Sequence, residues 1–227
     1  MNKELKKRII TSIVLIAIAL NCLFINNFSW LFLLLIVSFI CWIEFININK
    51  KILKKKAIII LPIILSFLFL LLFIYTAYKF RIEKGTIGVL FVLGVCVFSD
   101  IGGYIIGKSI GGKRLTKISP NKTISGSLGS FLFSLFPLGI FMIYFSIMPE
   151  YDFYDQKFNF SDKHILYCLL ISLSCQLGDL IISYFKRLAK VKDTGKILPG
   201  HGGMLDRIDG VIFAIPTTIL IIRPLVF

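Results

Sequence analysis

The chain has 227 residues, of which 57% are apolar types and only 17% charged, and its mean hydropathy is +0.88. A soluble domain carries about 25% charged residues, so a water-soluble globule is excluded, as is a disordered chain, which lacks this much apolar surface. Lys and Arg number 26 against 12 Asp and Glu, a formal net charge of +14; in a membrane protein that excess belongs to cytoplasmic loops and anionic headgroups rather than to nucleic acid.

A membrane-spanning helix needs about 20 mostly apolar residues. Seven stretches qualify: 9–27, 28–46, 57–76, 86–106, 126–148, 164–184 and 210–226, the last being short. The first follows Lys3, Lys6, Lys7 and Arg8, as a signal peptide would. No small-x-small cleavage site comes after it, and Asn21 before Cys22 spoils a lipoprotein site, so an uncleaved first helix is expected. Glu44, in Cys-Trp-Ile-Glu-Phe near the end of the second stretch, reads as a side chain that snorkels to the interface, and no role is assigned to it.

The loops orient the bundle. With the N-terminus in the cytoplasm, segments 1–8, 47–56, 107–125 and 185–209 hold 20 of the 26 Lys and Arg. The opposite side keeps Lys79, Arg81, Lys84, Lys157, Lys163 and Arg223, of which the three in 77–85 run against the trend. The bias predicts N-terminus in and C-terminus out. The expected fold is therefore all-α, a polytopic integral membrane helical bundle of about seven transmembrane helices with a cytoplasmic N-terminus. Cys22, Cys41, Cys96, Cys168 and Cys175 all lie in apolar runs without a C-x-x-C pair, so they are expected as buried free thiols.

Polar residues accumulate only from Asp100 onward, which divides the chain into N-terminal transmembrane helices (1–90) and a catalytic transmembrane region (91–227) with cytoplasmic loops 107–125 and 185–209. Asp100 ends an apolar run, Asp179 lies within the sixth stretch, and Asp206 and Asp209 open the seventh. Carboxylates at membrane depth are costly unless they face a cavity, a cation or a partner. All four sit at or near the cytoplasmic ends of their helices, where they can converge. Asp206 and Asp209 are three apart and share a helix face, a spacing suited to a hard cation such as Mg²⁺. As isolated residues they would read as partners of Lys186, Arg187 or Arg207, or as helix caps; gathered on one rim beside two glycine-rich basic loops they point to metal or phosphate work.

Loop 185–209 carries Lys186, Arg187, Lys192 and Lys196, with Gly200, Gly202 and Gly203 around His201. Glycines allow close backbone approach to a ligand and expose N–H groups. Loop 107–125 is also glycine-rich and basic but does not meet the Walker A pattern. Its Ser119-Pro120-Asn121-Lys122-Thr123 segment offers hydroxyls and an ammonium beside a rigid turn.

Taken together these segments resemble the phosphatidate cytidylyltransferases, or CDP-diacylglycerol synthases. The family signature runs Ser-x-x-Lys-Arg-x4-Lys-Asp-x-small-x-x-apolar-Pro-x-His-Gly-Gly-x-x-Asp-Arg-x-Asp. Ser183, Lys186, Arg187, Lys192, Asp193, Gly195, Leu198, Pro199, His201, Gly202, Gly203, Asp206, Arg207 and Asp209 supply it at matching spacing. Asp100, Tyr104, Gly107-Lys108 and Ser119-Pro120-x-Lys122-Thr123 are similar to the family's second characteristic region, and Gly178-Asp179 to its lead into the signature. The likeness covers roughly 95–215. Members commonly have more residues and more spans than the seven counted here, a difference expected at the N-terminal end, away from the motif.

The resemblance implies an enzyme that transfers CMP from CTP to phosphatidate, giving CDP-diacylglycerol and pyrophosphate for phospholipid synthesis. It implies catalytic roles for Asp179, Asp206, Asp209, Lys186, Arg187 and His201. Substrate contacts are expected at Ser119, Pro120, Lys122, Thr123, Lys196, Gly202, Gly203 and Arg207. Metal ligation is expected at Asp179, Asp206, Asp209 and, as a weaker candidate, Asp100. The cofactor would be Mg²⁺, as more than one ion, with a monovalent cation left open. Expected partners are CTP, phosphatidate and membrane lipid, with a homodimer left open and no nucleic acid. The expected place is the bacterial inner membrane, with the active-site loops facing the cytoplasm. A related lipid phosphate, such as an archaeal ether lipid, remains an alternative acceptor. A CDP-alcohol phosphotransferase does not fit, because Asp206-x2-Asp209-Gly210 begins that pattern and Val211–Ala214 does not continue it. An ion transporter fits poorly too, since the outer halves of the spans are almost wholly apolar.

Overall fold

A computed structural model describes residues 3–52, 56–116, 119, 122–147 and 162–219. These form seven helices: α1 (Lys3–Ile25), α2 (Asn27–Ile52), α3 (Lys56–Ile110), α4 (Ile124–Phe133), α5 (Phe136–Ile147), α6 (Asp162–Leu188) and α7 (Leu205–Thr217). Among the described residues there is no strand, only two isolated bridges, Arg114 with Thr123 and Leu198 with Gly202. Helices are what this composition demands, because inside a bilayer each backbone N–H must find its acceptor within its own segment.

Five helical stretches are long and apolar enough to cross a membrane, and the stretch Ile60–Ile110 has length for two passes. Gly85 breaks that helix, with φ 67° and ψ −173°, a left-handed conformation that glycine adopts without steric cost. The packing shows that the chain reverses there. The Phe69 ring packs against that of Phe213 of α7, tilted by 40°, at 4.8 Å between centroids. Asp100 shares a cavity with Asp209, only four residues earlier on α7. A straight helix would place Phe69 and Asp100 roughly 46 Å apart. The two limbs of α3, 56–84 and 86–110, thus match the two separate spans read from the sequence.

The span expected over 126–148 is divided. α4 ends at Phe133, with Ser134 as its C-cap, and α5 begins at Phe136. Pro137 in the first turn of α5 explains the break, since it has no N–H and its ring clashes with the preceding turn. The seventh expected span is described only as far as Ile219, and its remainder lies outside the described residues.

The exposed side chains are large hydrophobics, among them Ile13, Phe32, Phe39, Leu68, Leu132 and Ile143. A bundle with this exterior is an integral membrane protein: its apolar surface faces lipid. Inside, Trp30, Phe73, Val92, Ile171 and Ile212 are buried. α3 and α4 cross closely because both contribute glycines. A Cβ on Gly102 would lie 2.5 Å from the carbonyl of Gly129, and one on Gly129 2.7 Å from the carbonyl of Gly102. Close backbone approach through small residues is how helices associate in lipid. Here it sets Ser130 against Gly103 and Thr123 against Gly107.

The basic segments gather at one end of the bundle. Thr194, in the loop after α6, reaches Glu44 near the end of α2. The same loop meets the start of α1, where Thr11 donates to the Pro199 carbonyl at 3.1 Å. Loop 111–123 joins them over the cavity described below. At the opposite end Arg81 donates to the carbonyl of Leu23 through Nη2 at 2.6 Å and also to Asn27. One of the three basic residues that ran against the charge bias is therefore used to cap the C-terminus of α1, where a cation is favoured by the helix dipole.

Candidate active site

The second limb of α3, α4, α6 and α7 enclose a cavity of about 330 Å³ at the end where the basic loops meet. Four carboxylates line it: Asp100, Asp179, Asp206 and Asp209. They come from three helices, and α6 and α7 are extensively packed together. Gly178 and Gly210 permit that contact. A Cβ on Gly178 would lie 2.6 Å from the Asp209 carbonyl, and one on Gly210 3.2 Å from the carbonyl of Cys175. Without those glycines Asp179 and Asp209 would be pushed apart.

Lys122 enters the cavity from loop 111–123 and forms an ion pair with Asp179. The loop holds it there by backbone bonds: Leu115 N–H donates to the Lys122 carbonyl at 2.7 Å, and Ile124 N–H to the Lys113 carbonyl at 3.0 Å. Thr123 also lines the cavity and caps α4, its Oγ1 accepting from Gly126 N–H at 3.0 Å. Ser127 donates to Gln176 Oε1 at 2.6 Å, and Gln176 in turn donates to Ser172 at 3.2 Å. Ser183 donates to Asp179 Oδ1 at 3.3 Å.

Asp206 has the most partners of the four. Lys186 donates to Oδ1 at 2.8 Å. Oδ2 accepts from Thr194 N–H at 2.7 Å, Thr194 Oγ1 at 3.0 Å and Gly203 N–H at 3.0 Å. Burial works against its charged form, but the Lys186 ammonium and the two N–H groups outweigh it and hold the carboxyl below the usual range. Asp209 Oδ1 accepts from Gly210 N–H at 2.9 Å.

The residues named from sequence therefore divide. Asp100, Asp179, Asp206, Asp209, Lys122 and Thr123 meet in the cavity, with Lys186 behind Asp206. The others stand off its lining. Ser119 is half-buried in the loop turn, its carbonyl accepting from Lys122 N–H at 3.1 Å; Pro120 lies outside the described residues. His201 turns toward α1, with Nε2 3.1 Å from Ser12 Oγ. Arg207 is exposed and donates to the His201 carbonyl at 3.0 Å. Arg187 and Lys196 are exposed. Gly202 and Gly203 pack inward. A Cβ on Gly202 would lie 3.1 Å from Asp206 Oδ2, and one on Gly203 2.5 Å from Glu44 Oε2.

Sequence reasoning missed Ser127, Ser130 and Gln176, which line the cavity as neutral polar groups. Their signal was present, as isolated polar residues inside apolar runs. It also missed Glu44, which is 2% exposed and hydrogen-bonded rather than snorkelling.

Helices that cross a bilayer and gather acidic and basic side chains into one cavity at its edge define a membrane protein with a site for a charged ligand. Residues 60–225 match the Cytidylyltransferase family, and the chain belongs to that family. Relatives named phosphatidate cytidylyltransferase include one from Rickettsia bellii, 41% identical over 128 residues, which are 55% of this chain and 51% of that protein. One from Bacillus subtilis is 38% identical over 133 residues, 57% of this chain and 46% of the relative. One from Staphylococcus aureus is 40% identical over 136 residues, 59% and 48% of the two. The chain thus aligns with about half the length of these relatives.

Proposed function

We propose that this chain transfers CMP from CTP to phosphatidate, releasing pyrophosphate and forming CDP-diacylglycerol, at the cytoplasmic edge of a bacterial inner membrane. One observation carries the reading: in a member of the cytidylyltransferase family, four aspartates and Lys122 converge on a single cavity at the end of the bundle where the basic loops gather. The names of the relatives support the lipid acceptor. The charge bias supports the cytoplasmic placement.

The reaction asks little bond-making help from the protein. A phosphatidate oxygen, already anionic, attacks the α-phosphorus of CTP; the bond from that phosphorus to the bridging oxygen breaks, and the electron pair leaves with pyrophosphate. The difficulty is bringing two polyanions together. Lys122 supplies positive charge inside the cavity, and Ser127, Ser130, Thr123 and Gln176 offer hydrogen bonds to phosphate oxygens. The lipid tails stay in the bilayer while the headgroup meets soluble nucleotide.

Four carboxylates lining an anion site call for cations. Among the described residues, no group of three or more His, Cys, Asp or Glu is placed to hold a metal ion. Mg²⁺ needs no such cage, because it takes one or two carboxylates and fills its shell with water and substrate phosphate. Hard oxygen donors are what the cavity presents. Asp179 and Asp209 are the ligands this reading favours, with Asp100 beside them. Asp206, whose two oxygens already accept four hydrogen bonds, fits better as an organiser of the site. When bound, Mg²⁺ would neutralise and align the α-phosphate and the departing pyrophosphate. Lys122, released from Asp179, would then turn to phosphate.

The test is conversion of labelled CTP by detergent-solubilised protein, with and without phosphatidate and with Mg²⁺ or EDTA. Product that needs both lipid and metal is expected. Folded protein that forms no product with diacyl or ether-linked lipid phosphates would contradict the reading.

A further inference from the structure

We propose that Glu44 is a positioning residue for this cavity, acting from α2 through Thr194 and the N-terminus of α7; its catalytic consequence rests on the cytidylyl transfer proposed above. Glu44 lies outside the region that matches the family, which begins at residue 60. It is 2% exposed and is the one acidic residue of α2. A carboxylate that deep persists only where donors replace the lost water.

Three donors do so. Met204 N–H donates to Oε1 at 3.0 Å, Leu205 N–H to Oε2 at 2.9 Å, and Thr194 Oγ1 to Oε2 at 2.9 Å. α7 needs this help. Its own N-cap residue, Met204, makes no side-chain cap bond. The cap comes instead from a helix 160 residues away in sequence. The anion also sits where the dipole of α7 favours it.

The link to the cavity is Thr194. Its hydroxyl lies within hydrogen-bond distance of both Glu44 Oε2 and Asp206 Oδ2, while its N–H donates to Asp206 Oδ2. One hydroxyl proton is shared between two carboxylates, which ties their positions together. Gly195 and Gly203 let the loop close over Glu44, since a Cβ on either would run into its carboxylate. Asp206 and, one turn on, Asp209 face the cavity from the helix whose start Glu44 holds. Glu44 itself is absent from the cavity wall.

The isosteric variant Glu44→Gln breaks this arrangement, because its amide nitrogen must face an N–H donor. Two readouts on the full chain decide. Amide hydrogen exchange across 193–207 should speed up in Glu44→Gln while 122–130 is unchanged. In the CTP conversion assay, kcat per folded molecule should fall about 10–100-fold, the scale of lost outer support for a charged site, with the KM for CTP changed less than about twofold. Thr194→Val should lower kcat alone and add little in the Glu44→Gln background, as coupled residues do. Unchanged exchange at 193–207 would overturn the positioning role whatever the activity. Faster exchange with unaltered kcat would reduce Glu44 to a structural cap. An inactive but folded wild type would instead defeat the proposed reaction, and the exchange result would still decide whether Glu44 holds α7.

Discussion

In the first half of the bundle, polar side chains close on their own helix or a neighbour's backbone. Thr76 donates to the Leu72 carbonyl at 2.8 Å, Ser66 to that of Ile63 at 2.8 Å, and Arg81 to that of Leu23. From Asp100 onward the pattern changes. Asp100, Lys122, Ser127, Gln176, Asp179 and Asp209 come from five separate segments and turn toward one cavity. Both halves expose large hydrophobics on the outside, so an apolar exterior does not distinguish them. The difference lies in where the polar groups find partners. A hydroxyl satisfied within its own turn stabilises a helix, whereas carboxylates from three helices aimed at shared space are a costly arrangement that structure alone does not require. Glu44 departs from this pattern, as Thr11 and Ser12 do in meeting Pro199 and His201: it is a carboxylate of the first half used to hold the second.

Substitutions can break this contrast. Asp209→Asn should cut turnover about 1,000-fold, roughly 4 kcal/mol in the barrier, with membrane insertion intact; substantial residual activity would remove Asp209 from the site. Lys122→Ala should raise the KM for CTP or phosphatidate about tenfold, the loss of one charge-assisted contact. An unchanged kinetic profile would return loop 111–123 to a merely basic loop.

A smaller effect is expected from Lys186→Met, read through pH. The folded-state pKa of Asp206 is lowered, so its contribution to stability is present above the ordinary Asp value of about 3.9 and is lost as pH falls through the folded value. Without Lys186 that loss should begin at higher pH. Thermal midpoints measured from pH 3 to 7 should therefore fall earlier in the variant, and superimposable acid limbs would show that the ion pair does not set the carboxyl. The smallest effect belongs to the lipid-facing exterior: Phe32→Leu, on the exposed side of α2, should leave turnover and midpoint within error. A clear loss there would mean that the first half does more than anchor and brace.

Hydropathy revealed the helices because lipid imposes one rule on every span, and the Gly85 reversal was visible as a gap between two apolar runs. The α4–α5 break was not, although Pro137 marked it, since the apolar run continues across it. Asp100, Asp179, Asp206 and Asp209 stood out because charge at depth is rare. Their division of labour did not, because it depends on which oxygens Lys186, Thr194 and Gly203 occupy. The glycines beside His201 read as a ligand loop, and their packing on Asp206 and Glu44 could not be read from the sequence. Glu44 was illegible for a simple reason: its three partners lie 150 to 161 residues away.

Cytidylyl transfer as proposed requires CTP to occupy the cavity between α3, α4, α6 and α7. Ser127→Cys places a thiol on its wall, while Cys41, Cys96, Cys168 and Cys175 are buried. Alkylation of that thiol should block turnover, and CTP with Mg²⁺ should slow alkylation several-fold relative to wild-type background labelling. Equal alkylation rates with and without CTP, in protein that still converts it, would place the reaction elsewhere.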